Sequence, residues 1–137
     1  MDCAAHLSAE DAAKLLAAGS SLQQWLSVRV SNGFRFIRWM EVDAATGGGW
    51  NIYESDSLDL GPANRDMTSF PNDLDPDFPE GICYSCASVE AVFSKCTELG
   101  YSPAKFVRFC EIQLLYDAYI LANGPPARSA NEYFTTG

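Results

Sequence analysis

The dipeptide Asn32-Gly33 constrains the fold of this chain more than any other feature. It lies between two segments in which apolar residues alternate with polar ones, SLQQWLSVRVS and FRFIRWMEVD. Asn-Gly favours the positive φ angles of a two-residue type I′ turn. The pattern therefore predicts an antiparallel hairpin whose register places Ser31 opposite Phe34.

This register predicts one apolar face and one mixed face of the hairpin. The apolar face, which we expect to meet the core, carries Leu26, Val28, Val30, Ile37 and Trp39. The mixed face carries Ser27, Arg29, Ser31, Phe34, Phe36 and Arg38. Arg29 lies opposite Phe36, which predicts a cation–π contact. The hairpin arginines are expected to pair with acids of the same chain or to lie along aromatic rings.

Serine caps mark the predicted helices. Ser8 precedes an Ala- and Leu-rich helix over residues 9–18, and Ser88 precedes a second helix. The pair Ser102-Pro103 predicts a third helix over about 103–122, because serine caps helices and proline suits their first position.

A third strand is predicted at about residues 50–54, after the glycine turn GGG. The order of elements predicts a single α+β domain over residues 1–137. In it, a small antiparallel meander of about three strands packs against an N-terminal helix and two C-terminal helices. A long acidic irregular segment at about 54–82 and a loose tail at 124–137 complete the chain, since four prolines interrupt the first of these regions.

Negative charge is concentrated in the irregular segment. The chain has 18 acidic and 9 basic residues, a net charge of −9, and eight acids against one base between residues 54 and 80. Such a charge repels nucleic acid and anionic membranes and attracts a basic protein. No apolar run reaches the roughly 20 residues that span a bilayer. The N-terminus also lacks a signal-peptide pattern, so a cytoplasmic protein is expected.

The acidic segment raises the alternative of a calcium loop. Asp73, Asp75 and Asp77 match the first, third and fifth ligand positions of an EF-hand. Phe78 stands where that loop needs glycine, and Tyr84 stands where it needs a bidentate glutamate. A metal-binding module that uses these aspartates remains an alternative, and no cofactor is predicted.

Cys83 and Cys86 form a C-x-x-C motif ahead of the second helix. Zinc sites usually join two close pairs, and only one such pair exists here. The acids that precede the motif oppose formation of the thiolate that redox chemistry needs. We expect reduced thiols, and a metal site at this pair is the second form of the metal-binding alternative.

No catalytic set is recognisable. His6 is the single histidine and lies near the N-terminus, whereas nucleophilic catalysis needs a buried, oriented base. The sequence has neither a Walker loop nor a dinucleotide-binding glycine motif. The protein is therefore predicted not to be an enzyme. A small-ligand or enzyme domain with a pocket between the hairpin and the last helix, containing Tyr116 or Asp117, is the remaining alternative.

In size, charge and layout, the chain resembles the small acidic immunity proteins and protein inhibitors that bacteria and phages use against basic toxins or nucleases. The resemblance is one of type and assigns no roles to residues. Independently of it, acids on a protruding segment speed the encounter with a basic partner and can occupy a phosphate-binding active site. We therefore predict a non-catalytic binding protein that neutralises a basic protein partner. The predicted partner-binding residues are Asp66, Asp73, Asp75, Asp77, Phe78 and Glu80, with Phe78 as a possible apolar anchor.

Overall fold

A computed structural model describes residues 6–62, 66–71 and 82–128 of the chain. The helix α1 (Ala9–Ala17) comes first. The hairpin follows it, with β1 (Leu22–Ser31) before the predicted turn and β2 (Phe34–Ala44) after it. The remaining elements are β3 (Trp50–Leu58), a 3-10 helix (Met67–Ser69), β4 (Ile82–Cys86), α2 (Val89–Leu99), β5 (Val107–Arg108) and α3 (Ile112–Asn123). The α+β class predicted from the sequence is confirmed.

The described strands form a five-stranded antiparallel sheet in the order β4-β3-β2-β1-β5. The prediction of about three strands was too low because both edge strands are short. β5 contains two residues and β4 contains five, ICYSC. A period of two is hard to recognise over so few residues. β3 also continues to Leu58, four residues beyond its predicted end.

The predicted hairpin turn is confirmed. Asn32 and Gly33 have φ angles of 54° and 82°, the positive values that a type I′ turn requires. The predicted register is confirmed for the five residue pairs nearest the turn. The predicted cation–π contact also forms, with the Arg29 guanidinium 4.1 Å from the centroid of the Phe36 ring.

A bulge in β1 changes the register farther from the turn. The pairing shifts between Trp25 and Ser27, so that Trp25 lies opposite Trp39. The prediction that Leu26 opposes Trp39 was therefore wrong, because one extra residue in a strand displaces every pair beyond it. Val30, which was also assigned to the core, is 66% exposed.

Helices cover both faces of the sheet. Residues of α1 and α2, including Leu16 and Val92, form one core with Met40 of β2. On the opposite face, residues of α3 pack on the odd-numbered positions of β2. This second core contains Ile37, Trp39, Met67, Phe70, Val107, Ile112 and Tyr116. This second core lies on the face of the hairpin that was predicted to be apolar. The face that was predicted to be mixed is partly buried as well, because Met40 belongs to the first core and Phe34 and Phe36 are also buried.

The helix caps predicted at Ser8 and Ser88 are confirmed. The Ser8 hydroxyl accepts a hydrogen bond from the Asp11 amide at 3.1 Å, and the Ser88 hydroxyl accepts one from the Ala91 amide at 3.0 Å. Gly100 ends α2 in the left-handed conformation. Among the residues described, every helix is too short or too polar to cross a membrane.

The last helix begins later than predicted, at Ile112 instead of about residue 103. Two buried glutamine side chains of β1 hold the preceding backbone in a non-helical conformation. The Gln24 amide bonds both the carbonyl and the amide of Ser102, at 2.9 and 3.2 Å. The Gln23 carbonyl oxygen accepts from the amide of Cys110 at 2.9 Å, and Cys110 has a φ of 73°. These distant partners override the local capping signal.

The described part of the predicted loose tail, residues 124–128, is attached to the hairpin. The Arg128 amide donates to the Gly33 carbonyl at 3.2 Å, and its guanidinium lies 4.3 Å from the Phe34 ring centroid. The Arg35 guanidinium donates to the Gly124 carbonyl at 2.9 Å. The chain therefore returns to the hairpin turn after α3.

Candidate functional site

The hairpin arginines bind acids of the same chain. The three pairs are Arg29–Asp56, Arg35–Asp59 and Arg38–Glu54, each with an N–O distance of 2.8 Å. The acids are almost completely buried, since their side chains are between 0 and 7% exposed. Three of the eight acids assigned to the irregular segment therefore neutralise internal arginines and do not face a partner.

A groove opens on the sheet face that carries α3, with a volume of about 420 Å³. β2 and β3 form its floor, because alternate residues of a strand point to the same side. Glu41 lies opposite Tyr53, and Trp39 lies opposite Ser55. The complete lining is Trp39, Glu41, Asp43, Tyr53, Ser55, Thr68 and Phe109. The groove thus combines two carboxyl groups with three aromatic rings.

Gln23 positions both sides of the groove. Its side-chain amide donates to Oε1 of Glu41 at 2.8 Å, while its carbonyl oxygen accepts from the Cys110 amide at 2.9 Å. Cys110 follows Phe109, so a single buried side chain orients a floor carboxyl and the backbone beside an aromatic wall. Trp39 is fixed separately, by a 3.0 Å hydrogen bond from its indole nitrogen to Ser57.

The two carboxyl groups of the floor interact with each other. Burial and, after it, a hydrogen bond with Asp43 raise the pKa of Glu41 to about 7, although the hydrogen bond from Gln23 acts to lower it. Within the described ranges, neither carboxyl group has an ion pair with a basic side chain. Glu41 therefore keeps its proton into the neutral pH range, and a cation nearby would favour its charged form.

Ser55 adds a polar group that has no hydrogen-bond partner among the described residues. Its side chain lines the groove, and the residue is only 6% exposed. A hydroxyl both donates and accepts hydrogen bonds, so it can bond a polar group that binds in the groove.

One predicted partner-binding residue lies at the rim of this groove. Asp66 is exposed and accepts a hydrogen bond from the backbone amide of Thr68 at 3.0 Å. Thr68 in turn lines the groove. The other predicted residues lie outside the described part of the chain; they are Asp73, Asp75, Asp77, Phe78 and Glu80.

The residues that flank this acidic stretch are both attached to β3. The Pro71 carbonyl accepts from the Leu58 amide at 2.8 Å. On the other side, Ile82 lies opposite Glu54 in the ladder of β3 and β4. The described residues on either side of the acidic stretch therefore both lie beside the strand that supplies two groove residues.

The C-x-x-C motif lies on a strand, which separates its cysteines. Cys83 is paired with Tyr53 and is exposed, whereas Cys86 is paired with Trp50 and packs against the core beneath α1 and α2. Residues three apart in a strand point to opposite faces, so one metal ion cannot bind both thiols in this conformation. Across the described ranges, no three His, Cys, Asp or Glu side chains form a group that could hold a metal ion.

The alternative pocket at Tyr116 or Asp117 does not coincide with the groove. Tyr116 is 1% exposed and donates to Asp59 at 2.6 Å. Burial and the Asp59 carboxylate raise the pKa of Tyr116 above its ordinary value. Asp117 is exposed and accepts a hydrogen bond from Gln113 at 3.1 Å. Neither residue lines the groove.

Sequence reasoning did not identify Glu41, Asp43 and Phe109 as site residues. A signal for the first two is present in the segment WMEVD. The two acids of this segment lie at alternate positions after Trp39, so they continue its face of the strand. Met40 and Val42 continue the apolar core on the other face. Phe109 carries no such signal, because it was assigned to a helix that begins only at residue 112.

The fold and the groove define this chain as an α+β domain with an acidic, aromatic-walled surface site. No protein-family model matches the chain, and no curated protein or solved structure is significantly similar to it. The site is therefore described by its own chemistry.

Glu41→Gln is expected to stabilise the protein at pH 8 but hardly at pH 5. The pKa of Glu41 is about 7 in the folded protein and 4.5 in the unfolded chain. Between these two pH values, the folded protein therefore binds more protons than the unfolded chain does. The free energy of unfolding of the parent protein therefore falls as the pH rises through this window. After a discount for solvent screening, the variant should gain about 1–2 kcal/mol at pH 8 in urea unfolding.

The control for this prediction is Glu98→Gln, which changes an exposed acid of α2. Its effect should stay below about 0.5 kcal/mol at both pH values. If Glu41→Gln has the same effect at pH 5 and pH 8, the raised pKa of Glu41 is contradicted.

Proposed function

We propose that the protein is a non-catalytic acidic binding protein that neutralises a basic protein partner, such as a toxin or nuclease, in the manner of an immunity protein or inhibitor. The observation that supports this proposal is the distribution of charge. Arg29, Arg35 and Arg38 are each paired internally, whereas Glu41 and Asp43 face an open groove. With a net charge of −9, the chain has an excess of acids to offer to a partner.

Exposed apolar side chains support a protein as the partner. Phe109, which lines the groove, is 56% exposed, and α3 presents Leu114 and Leu121, which are 41% and 70% exposed. These two leucines lie outside the core side of α3, which contains Ile112 and Tyr116. Protein interfaces combine apolar anchors with a polar rim, and acids beside such anchors suit a basic surface.

The test is capture of a partner at low and high salt, with the full chain as bait. A bait that carries Asp73→Asn, Asp75→Asn and Asp77→Asn removes three predicted partner-binding acids. The parent protein is expected to bind a protein of net positive charge, and the variant should bind it at least about tenfold more weakly. Binding should also weaken as salt rises, because charge attraction is screened.

A control bait with Glu10→Gln, Glu90→Gln and Glu98→Gln removes the same amount of charge from exposed positions of α1 and α2. It should retain most of the affinity for the partner. If both triple variants lose the partner equally, the acidic stretch is not the interface and only net charge matters. If the parent protein captures no basic protein, the proposed function is overturned.

A further inference from the structure

We propose that the groove is a pocket for one arginine side chain, in which the guanidinium lies against the aromatic walls and bonds to Glu41 and Asp43. The inference rests on the proposed function, since it names the group of the basic partner that the groove receives. It also assigns a role to a surface that the acidic stretch of residues 72–81 does not include.

The shape and chemistry of the groove favour arginine over other cations. Arginine has a planar guanidinium that bonds carboxylates through two parallel N–H donors and stacks on aromatic rings. Lysine offers a compact, strongly hydrated charge that gains less from flat walls. The groove supplies both kinds of contact, with two carboxyl groups on the floor and the rings of Trp39, Tyr53 and Phe109 around them.

The protein uses the same combination to hold its own arginines. The Arg29 guanidinium lies 4.1 Å from the Phe36 ring centroid while it bonds Asp56 at 2.8 Å. Arg35 lies 4.8 Å from the Tyr119 centroid and bonds Asp59 at 2.8 Å. The groove contains the same two kinds of group, but its lining includes neither lysine nor arginine. It is thus suited to an arginine from another molecule.

Ser55 adds a second observation beside the two acids. The residue is 6% exposed and lines the groove, and its side chain has no hydrogen-bond partner within the described residues. A hydroxyl oxygen accepts hydrogen bonds from guanidinium N–H groups. Ser55 therefore adds a preference for a ligand with several donors.

Binding of a cation should depend on pH. The groups that face Glu41 are Asp43 on its own strand, Tyr53 on β3, and the neutral side chains Gln23 on β1 and Phe109 before α3. A bound guanidinium favours the charged carboxylate of Glu41, so the Glu41 proton leaves when the cation binds. With a pKa of about 7 for Glu41, affinity should rise about tenfold from pH 6 to pH 8.

The experiment is a titration of the full chain with N-acetyl-arginine amide, followed by the indole N–H signal of Trp39 in nitrogen-15 NMR. The expected dissociation constant is in the millimolar range, as for a small fragment of an interface. N-acetyl-citrulline amide, which has nearly the same shape without the charge, should bind at least about tenfold more weakly. Equal binding of the two probes, or no binding of the arginine probe, would overturn the pocket.

The variant Glu41→Gln with Asp43→Asn should bind the arginine probe at least about tenfold more weakly. The matched control is Asp117→Asn with Glu98→Gln, which changes two exposed acids outside the groove and should leave binding unchanged. If the double variant does not fold, Phe109→Ala changes an exposed ring and should weaken binding about threefold. Unchanged binding by a folded groove variant contradicts the proposal.

Partner capture with the double variant separates this inference from the proposed function. A basic partner that the groove variant binds normally, but that the triple aspartate variant loses, overturns the arginine pocket and leaves the proposed function intact. Binding of the arginine probe without capture of any basic partner has the opposite meaning: it supports the pocket and overturns the proposed function.

Discussion

Asp59→Ala is expected to lower the free energy of unfolding by about 3–5 kcal/mol, because it leaves a buried arginine without its counter-charge. Asp59 is 1% exposed. It accepts hydrogen bonds from the Arg35 guanidinium at 2.8 Å, the Tyr116 hydroxyl at 2.6 Å and the Gly61 amide at 2.8 Å. The substitution removes the acceptor for all three donors at once.

Two controls separate the charge from the hydrogen bonds. Tyr116→Phe removes one hydrogen bond to Asp59 and keeps the ring, so it should cost about 1 kcal/mol. Glu98→Ala breaks an exposed ion pair of α2 and should cost less than about 0.5 kcal/mol. The measurement is urea unfolding at pH 7, followed by tryptophan fluorescence. An Asp59→Ala protein that is within 1 kcal/mol of the parent would contradict a structural role for this ion pair.

The cluster around Asp59 ties α3 to the sheet. Tyr116 extends from α3, Arg35 extends from β2, and the same guanidinium donates to the Gly124 carbonyl at the end of α3. A local loss of this cluster would therefore release the helix that covers one face of the sheet. For this reason the effect of Asp59→Ala should be global and not restricted to a loop.

Features that depend only on a few neighbouring residues could be predicted from the sequence. The turn at Asn32-Gly33 and the caps at Ser8 and Ser88 are examples, because each depends on backbone conformation and on one nearby donor. The α+β class follows from the order of such local signals. The short edge strand β4 does not, since its pairing with β3 depends on a partner some thirty residues earlier.

The start of α3 illustrates why a local signal can fail. Ser102 has the residue type of a helix cap, and its side chain does accept from the Ala104 amide at 3.3 Å. The backbone of Ser102 is nevertheless bonded to Gln24, 78 positions away in the sequence. No pattern near Ser102 reports that contact. Tertiary hydrogen bonds of this kind commonly override local propensity.

The number of acids in a segment does not show which of them are exposed. Glu54, Asp56 and Asp59 were grouped with the acids of the irregular segment, yet all three face arginines of the hairpin. The register between β2 and β3 determines these pairs, and the sequence did not predict it. Glu41 and Asp43 were not predicted as site residues, because the denser cluster of charge lies in the irregular segment.

Gly49→Ala is the second substitution with a large expected effect, a loss of about 2–4 kcal/mol in unfolding free energy. Gly49 lies in the turn between β2 and β3 with a φ of 75°. A β-carbon at this position would lie 2.5 Å from the carbonyl oxygen of Cys86. That oxygen belongs to the backbone at the end of β4, so it cannot turn aside as a flexible side chain would.

The neighbouring glycines separate the two causes of this loss. Gly48 has a φ of 101° but open space around a β-carbon, so Gly48→Ala tests backbone strain alone and should cost about 1 kcal/mol. Gly47 has neither a positive φ nor a close neighbour, and Gly47→Ala should be nearly neutral. Urea unfolding of the three variants measures this order. If Gly49→Ala is no more harmful than Gly48→Ala, the close approach of the turn to β4 is contradicted. If the predicted order holds, the clash must displace the end of β4, and Cys86 lies only two residues before the cap of α2 at Ser88.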